Sequence, residues 1–272
     1  MTDVEEIKET VSVPRLSATV IPVRQSSTGN DIEVLMIERL RSLRVLPGFL
    51  AFPGGMLDVG DVSVANHWCA SAYFPTSTVA GVLTDGLRSA FAWTQEAWVG
   101  STGASFERVL LALLSAGMRE VAEEIGVCPL QRDSWSSEEL SALRSGVGDV
   151  WLQEAQQFAL KPRVRYFGRR VTPPVLRYRF DAHFFVAAWQ GEEEMRVSST
   201  EVERAFWIAP KMLLERAESS AEKVLLAPPT ADALLALSTI DRVEDLWTAP
   251  GMPEQVNDVA RVEALRRLMQ SS

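Results

Sequence analysis

The chain has 272 residues, 47% of them hydrophobic and 23% charged, and a net charge of −9. That length buries one sizeable core with embellishments, and the composition is that of an ordinary globular protein. The acidic balance argues against general nucleic-acid binding, which needs clustered cations, and two isolated cysteines exclude a disulfide framework or a cysteine-based zinc site.

An N-terminal tail, residues 1–14, precedes a mixed α/β pattern. Leu16–Arg24 and Ile32–Arg39 read as strands rich in β-branched residues, joined by the polar Ser26–Asp31 turn. Phe49–Phe52 leads into a turn at Pro53-Gly54-Gly55, where proline sets one φ and the glycines permit positive φ and close backbone approach to a ligand. Residues 62–115 read as an insertion with helical stretches near Val79–Val99. Its Trp68, Phe74, Phe91, Trp93 and Trp98 suit a lid, a ligand pocket, a dimer contact or plain core. Phe106 to Ile125 is expected to be a helix, and Val150–Leu160 another. Arg163–Val171, Arg177–Trp189 and Glu203–Ile208 follow as strands, the last leading to a helix starting at Pro210. Beyond Pro228-Pro229 the chain turns helical, over Ala231–Leu237 and Pro253–Met269. Cys69 and Cys128 are expected to be buried or half-buried thiols, and His183, within a strand, to be structural.

The chemistry concentrates in Phe106–Ile125. Glu120, Glu123 and Glu124 stand at i, i+3 and i+4, one face of the helix. Leu110, Leu111, Leu114, Met118, Val121 and Ile125 occupy roughly the opposite face. Three adjacent carboxylates repel one another unless water or a cation offsets them. Two readings are open on the residues alone. One is a solvated acidic face with Arg119 paired to Glu123; the other is a site for a hard divalent cation, which takes carboxylate oxygens together with substrate phosphates.

The segments Gly55…Asp61 and Arg119-Glu120-Val121-x-Glu123-Glu124-x-Gly126-Val127 together resemble the Nudix box, Gly-x5-Glu-x7-Arg-Glu-U-x-Glu-Glu-x-Gly-U, with U aliphatic. The second half matches throughout. Asp61 replaces the first glutamate, and 57 residues separate it from Arg119 in place of seven. Such a split box is similar to the peroxisomal-type coenzyme A diphosphatases and their bacterial relatives. Arg39, Arg44, Gly48 and Phe52-Pro53-Gly54-Gly55 are in register with the signature of coenzyme A-hydrolysing Nudix proteins, while Ile37 and Leu40 depart from it. Thr172-Pro173 and Arg179-Phe180-Asp181-x-x-Phe184-Phe185 look like further segments of that subgroup, with Ala182 in place of a threonine.

The resemblance implies a Nudix-like α/β/α sandwich around a mixed sheet spanning residues 15–220, with the 62–115 insertion and a helical C-terminal extension, 221–272. It implies Mg²⁺ or Mn²⁺ held by Glu120, Glu123, Glu124 and a carbonyl at Gly54 or Gly55. Catalytic roles would fall to Glu123, Arg119 (orienting the acids) and Asp61 (supporting them), with Glu201 and Glu203 as alternative general bases. Arg39, Arg44 and Gly55 would bind substrate. The implied reaction cuts the diphosphate of coenzyme A or an acyl-CoA to 3′,5′-ADP and (acyl-)4′-phosphopantetheine. ADP-ribose or NADH is the alternative substrate, and a non-catalytic ligand-binding regulator the rival from another class. The expected partner is such a small molecule, with homodimerisation left open. No apolar run reaches the roughly 18–20 residues of a membrane helix. An acidic N-terminus and a Gln270-Ser271-Ser272 end carry no secretory, mitochondrial or peroxisomal signal, so cytoplasm is the expected compartment.

Overall fold

The structure, a computed structural model, describes residues 13–70, 106–127, 135–146, 150–157, 164–176, 178–189, 194–198, 200–219, 223–253 and 255. Its long central strands are apolar on both faces, and the period of two sorts those residues into two cores. In β1 (Arg15–Gln25), Ala18 and Val20 enter one core while Ile21 and Val23 enter the other. In β2 (Ile32–Arg39), Leu35 and Ile37 oppose Ile32, Val34 and Met36 in the same way, and in β6 (Phe180–Ala188) Phe185 and Ala187 oppose Phe184 and Val186. A sheet buried on both sides requires a layer against each face.

The remaining strands are β3 (Leu50–Ala51), β4 (Gly54–Met56), β5 (Val164–Val171) and β7 (Val202–Ile208). The sheet order is β3-β2-β1-β6-β5, with β4 against β1 and β7 against β2. β1 and β6 run parallel in register from Arg15↔Phe180 to Val23↔Ala188. β1 meets β2 only over Val23–Gln25, and its earlier half, Ser17–Thr19, pairs instead with β4. β2 meanwhile turns to β7. The sheet therefore opens beside the first half of β1, and β4 stands in that opening.

Against one face lie α1 (Val59–Ala70) and α2 (Phe106–Ile125). α2 buries Leu110, Leu113, Leu114, Met118 and Val121 completely or nearly so. Gly117 lets it approach β1, since a Cβ there would come within 2.7 Å of Val20 Cγ2. Trp68 of α1 is buried and donates its indole N–H to Ala155 O at 3.0 Å, joining α1 to α4 (Val150–Gln157). Between them in sequence, α3 (Ser137–Ser145) begins in a capping box of Ser136 and Glu139 and ends at Gly146 in the left-handed conformation. Against the other face lie α5 (Pro210–Glu218) and α6 (Pro228–Leu237), with Leu213, Ala233, Leu234 and Leu237 in the second core. A 3₁₀ turn at Val243–Trp247 follows. Met252 then donates its N–H to Phe167 O at 2.8 Å, and the Gln255 side chain bonds both backbone groups of Val171. The last described residues thus cover the outer edge of β5.

The expected sandwich is present. α2 has the predicted bounds, and the strands lie within two or three residues of expectation at each end. Four readings change. Gly54-Gly55 is a strand, not a turn, and neither glycine has positive φ. α1 and α3 form where no helix was expected. Cys69 is exposed, because it falls on the outer side of α1. α6 begins three residues before Ala231, with proline in its first turn. The predicted helices at Val79–Val99 and Pro253–Met269, four of the five insertion aromatics and Cys128 lie outside the described residues (apart from Pro253 and Gln255). No helix among the described residues is long and apolar enough to cross a membrane.

One polar chain is buried within β5 and β6. Tyr166 Oη lies 3.1 Å from His183 Nδ1, His183 Nε2 lies 3.3 Å from Asp181 Oδ1, and Arg169 grips both Asp181 oxygens at 2.6 and 2.7 Å. Burial raises the Asp181 carboxyl, but hydrogen bonds from Arg169 and His183 outweigh it and hold the group well below the carboxylate range. Burial depresses His183, against the opposing pull of Asp181. Both depressed groups bind fewer protons folded than unfolded, so stability rises with pH through their range. His183 withdraws stability as pH falls below about 6.5 and Asp181 as it falls below about 4. Asp181→Asn should lower stability at pH 7 by about 3 kcal/mol, since Arg169 loses its charged partner. In urea unfolding, the variant should also lose less stability than the native chain between pH 5 and pH 3. Parallel slopes over that interval would refute the assignment.

Candidate active site

Apolar packing of α2 on the sheet turns Arg119, Glu120, Glu123 and Glu124 towards β4 and α1. Arg119 is the junction. Its Nε and one terminal nitrogen donate to the two oxygens of Asp61 at 3.3 and 3.1 Å, and that nitrogen also reaches Met56 O at 3.0 Å. The other terminal nitrogen donates to Glu120 at 3.0 Å and Glu123 at 3.1 Å. Asp61, in the first turn of α1, is fully buried and also accepts from Ser115 Oγ at 3.0 Å and Asp58 N at 3.0 Å. Burial raises its carboxyl, although Arg119 opposes the rise.

Glu124 is 2% exposed and accepts the Gly54 N–H at 3.1 Å, which ties α2 to β4. The glycines of β4 are needed for closeness. A Cβ on Gly54 would stand 2.8 Å from Thr19 Cα, and one on Gly55 would overlap the Glu120 carboxylate. Glu120, Glu124 and Glu201 can each bring an oxygen within 4.8 Å of the other two. Glu201 arrives from the residue before β7, where its N–H bonds Ser198 O at 3.3 Å and its carbonyl accepts from Leu40 N at 3.1 Å. Its place in the group was expected only as a general-base alternative, because nothing in its own sequence surroundings marks it as a ligand. Glu123 lies outside this group and beside Arg119. Glu203, the other base alternative, is exposed on β7 and is not among the residues lining the adjoining cleft.

Burial first, then repulsion from Glu123 and Glu201, raises Glu120 to about 7 against the pull of Arg119. Burial and Glu120 raise Glu124 well above its ordinary value, with Arg39 and the Gly54 N–H opposing. Three converging carboxylates, two of them made more basic by burial and mutual repulsion, form a donor set that suits a hard divalent cation.

The group opens into a cleft of about 770 Å³. Arg39 and Arg44 line it beside the acids, and Arg39 Nε is fixed to Val45 O at 3.3 Å. Ser17, Thr19, Gly54, Arg15, Arg170 and Thr172 are also among its lining. Pro228, Pro229 and Thr230 of α6 supply a wall. Of the expected site residues, Arg39, Arg44, Gly54, Gly55, Glu120 and Glu124 border the cleft, whereas Arg119, Glu123 and Asp61 stand behind that lining. Gly55→Ala should push the Glu120 carboxylate aside and weaken Mn²⁺ binding at least about ten-fold in calorimetry, with the unfolding temperature little changed. Unaltered Mn²⁺ affinity would remove Glu120 from the site. Because Glu120 titrates at about 7, Mn²⁺ affinity should rise between pH 6 and pH 8 with proton release. A flat profile would contradict the basicity assigned to the cluster.

No protein-family model matches the chain, and no curated protein matches it significantly. Solved structures do. A NUDIX hydrolase from Alicyclobacillus acidocaldarius is 27% identical, covers 90% of this chain and 100% of its own, and superposes with a TM-score of 0.68. A MutT/nudix family protein from Enterococcus faecalis (14% identity, 86% and 63% coverage, TM-score 0.40) and a MutT NUDIX hydrolase from Burkholderia pseudomallei (15%, 82% and 98%, TM-score 0.39) are looser and carry no weight here. A sandwich shared along nine-tenths of the chain, with the second half of the box intact around an acidic cluster, makes this protein a member of the Nudix hydrolase superfamily.

Proposed function

We propose that the chain hydrolyses the diphosphate bond of a nucleoside diphosphate derivative with Mg²⁺ or Mn²⁺. The observation that carries this reading is the convergence of Glu120, Glu124 and Glu201 at the edge of a cleft that also presents Arg39 and Arg44. Glu120, Glu124 and Glu201 would hold the ion, with the Gly54 or Gly55 carbonyl as a further donor. A bound divalent ion supplies charge neutralisation for the diphosphate and acidifies neighbouring water. Arg39 and Arg44 offer planar forks that pair phosphate oxygens two at a time. Arg119 holds Glu120 in place from behind, and Asp61 in turn holds Arg119. Glu123, bonded to the same guanidinium nitrogen as Glu120, acts in this proposal through Arg119. Of the two alternative bases, Glu201 borders the cleft and Glu203 does not, so the carboxylate oxygen of Glu201 that does not hold the ion is the one placed to take a proton from water.

The finer reading, coenzyme A or an acyl-CoA as substrate, rests on the partial signature around Arg39, Arg44 and Phe52-Pro53-Gly54-Gly55. Mass spectrometry of products from coenzyme A, an acyl-CoA, ADP-ribose and NADH with each metal tests both levels. Release of 3′,5′-ADP with 4′-phosphopantetheine would support the finer reading. AMP from ADP-ribose or NADH alone would keep the chemistry and discard that substrate. Silence across the panel with both metals would count against the reaction itself. Glu124→Gln should reduce turnover by at least about 10³-fold and Glu123→Gln by less, since only the former touches the ion. Equal losses would return Glu123 to the metal site.

A further inference from the structure

The second core does not run the full length of the sheet. Along β1, Ala18 and Val20 enter the first core and Ile21 and Val23 the second, so alternation places Ser17 and Thr19 on the second-core face. On β6, Ala182 shares that face with Phe184 and Val186, and it pairs with Ser17 on one side and Arg170 of β5 on the other. On α6, Thr230 lies three and four residues before Ala233 and Leu234, which fill the same core. Hydroxyls and a guanidinium therefore replace aliphatic side chains at this end of the layer. Ser17, Arg170 and Thr230 all line the cleft there.

Ser17 is 8% exposed and Thr230 7%, yet neither hydroxyl forms a hydrogen bond among the described residues. Neither oxygen is sealed from the cavity. Hydroxyls buried to that degree ordinarily have a protein, water or ligand partner. The charge of Arg170 beside them is already matched, since Asp232 accepts from its Nε at 2.9 Å, and a terminal nitrogen donates to Arg169 O at 2.8 Å. A ligand that displaces water from this end must itself give and take hydrogen bonds, and it needs no charge to do so.

The place of these hydroxyls relative to the acids follows from β1. Thr19 pairs with Gly54, whose N–H is bonded to Glu124, and Ser17 lies two residues earlier on the same face, roughly 7 Å along the strand. The group bound there is the one attached directly to a phosphate held at the glutamates. A sugar ring suits the place, because it carries adjacent neutral hydroxyls in fixed directions, each both donor and acceptor. We propose that Ser17 and Thr230 form a neutral hydrogen-bonding subsite that selects a ligand by the free hydroxyls of the sugar next to its phosphate. The subsite rests on the diphosphatase reading for where the phosphate sits, and on no particular choice of substrate within that reading.

Binding can be measured apart from hydrolysis, because a monophosphate has no diphosphate bond to cut. Calorimetric titration with Mn²⁺ would compare AMP with 2′,3′-dideoxy-AMP on the native chain and on a double variant, Ser17→Ala with Thr230→Val. The native chain should bind AMP at least about ten-fold more tightly, as expected for two hydrogen bonds. The double variant should bind both ligands alike, at the native level for the dideoxy compound. Its melting temperature should be unchanged or raised, because hydroxyls without a protein partner are replaced by apolar groups of similar shape. Thr230→Ser, which keeps the hydroxyl, should keep the preference. Equal or undetectable binding of the two ligands by the native chain, or a preference that survives in the double variant, would overturn the proposal. So would a melting temperature several degrees lower in the double variant, which would make the hydroxyls structural. Loss of the preference in Thr230→Ser would assign the effect to shape and overturn it too. The full pattern without hydrolysis of any diphosphate in the panel above would refute the diphosphatase reading and leave the subsite standing.

Discussion

The Arg119–Asp61 pair holds the rest of the site together. The two residues stand 58 positions apart, yet the fully buried Asp61 carboxylate receives two donors from one guanidinium. The remaining donors of that guanidinium reach Met56 O, Glu120 and Glu123. One planar group thus sets the relative positions of α1, α2 and the end of β4. A buried charge pair is a weak source of stability but a strong constraint on geometry, because either partner alone is costly to bury. Aspartate serves here where the box has glutamate because α1 brings its backbone close enough for the shorter side chain.

The same economy governs charge in the cleft. Glu120, Glu124 and Glu201 would repel one another in an empty site, and burial makes that repulsion worse. A set of groups that is unfavourable alone becomes favourable with a divalent ion and a polyanion between it and the arginines. The acidic surface of the chain contributes little to such a ligand, so recognition depends on Arg39, Arg44 and their neighbours in the cleft.

How much of this was legible in the sequence depended on whether the signal was local. The bounds of α2 and its acidic face follow from periodicity, and the strand cores from β-branched runs. Gly54-Gly55 was misread because glycine signals a turn as readily as close packing; only the positions of Thr19 and Glu120 distinguish the two. α3 does carry local signals, the capping box Ser136-x-x-Glu139 and a glycine at its end, but only nine residues lie between them. α1 was hidden because its buried face carries the charged Asp61 beside Val64, Ala65 and Trp68 while the apolar Val59 is exposed, so polar and apolar residues do not separate at helical spacing. Glu201 could not be found from spacing, since it joins Glu120 and Glu124 only through the pairing of β7 with β2.

The parallel pairing of β1 with β6 bears on how the molecule is made. Arg15 meets Phe180 and Val23 meets Ala188, partners separated by more than half the chain. Such non-local pairing raises contact order and slows folding, because loop closure must come before the contacts that reward it. On the ribosome, β1, β2 and β4 emerge long before the strand that completes the sheet. Until β6 arrives, one flank of β1 is an unpaired apolar edge, the kind of surface that chaperones cover and aggregates recruit. Since β7 and Glu201 come later still, the carboxylate cluster is among the last parts of the molecule to assemble. A nascent chain therefore acquires its metal-binding geometry only after nearly all of the sheet is in place.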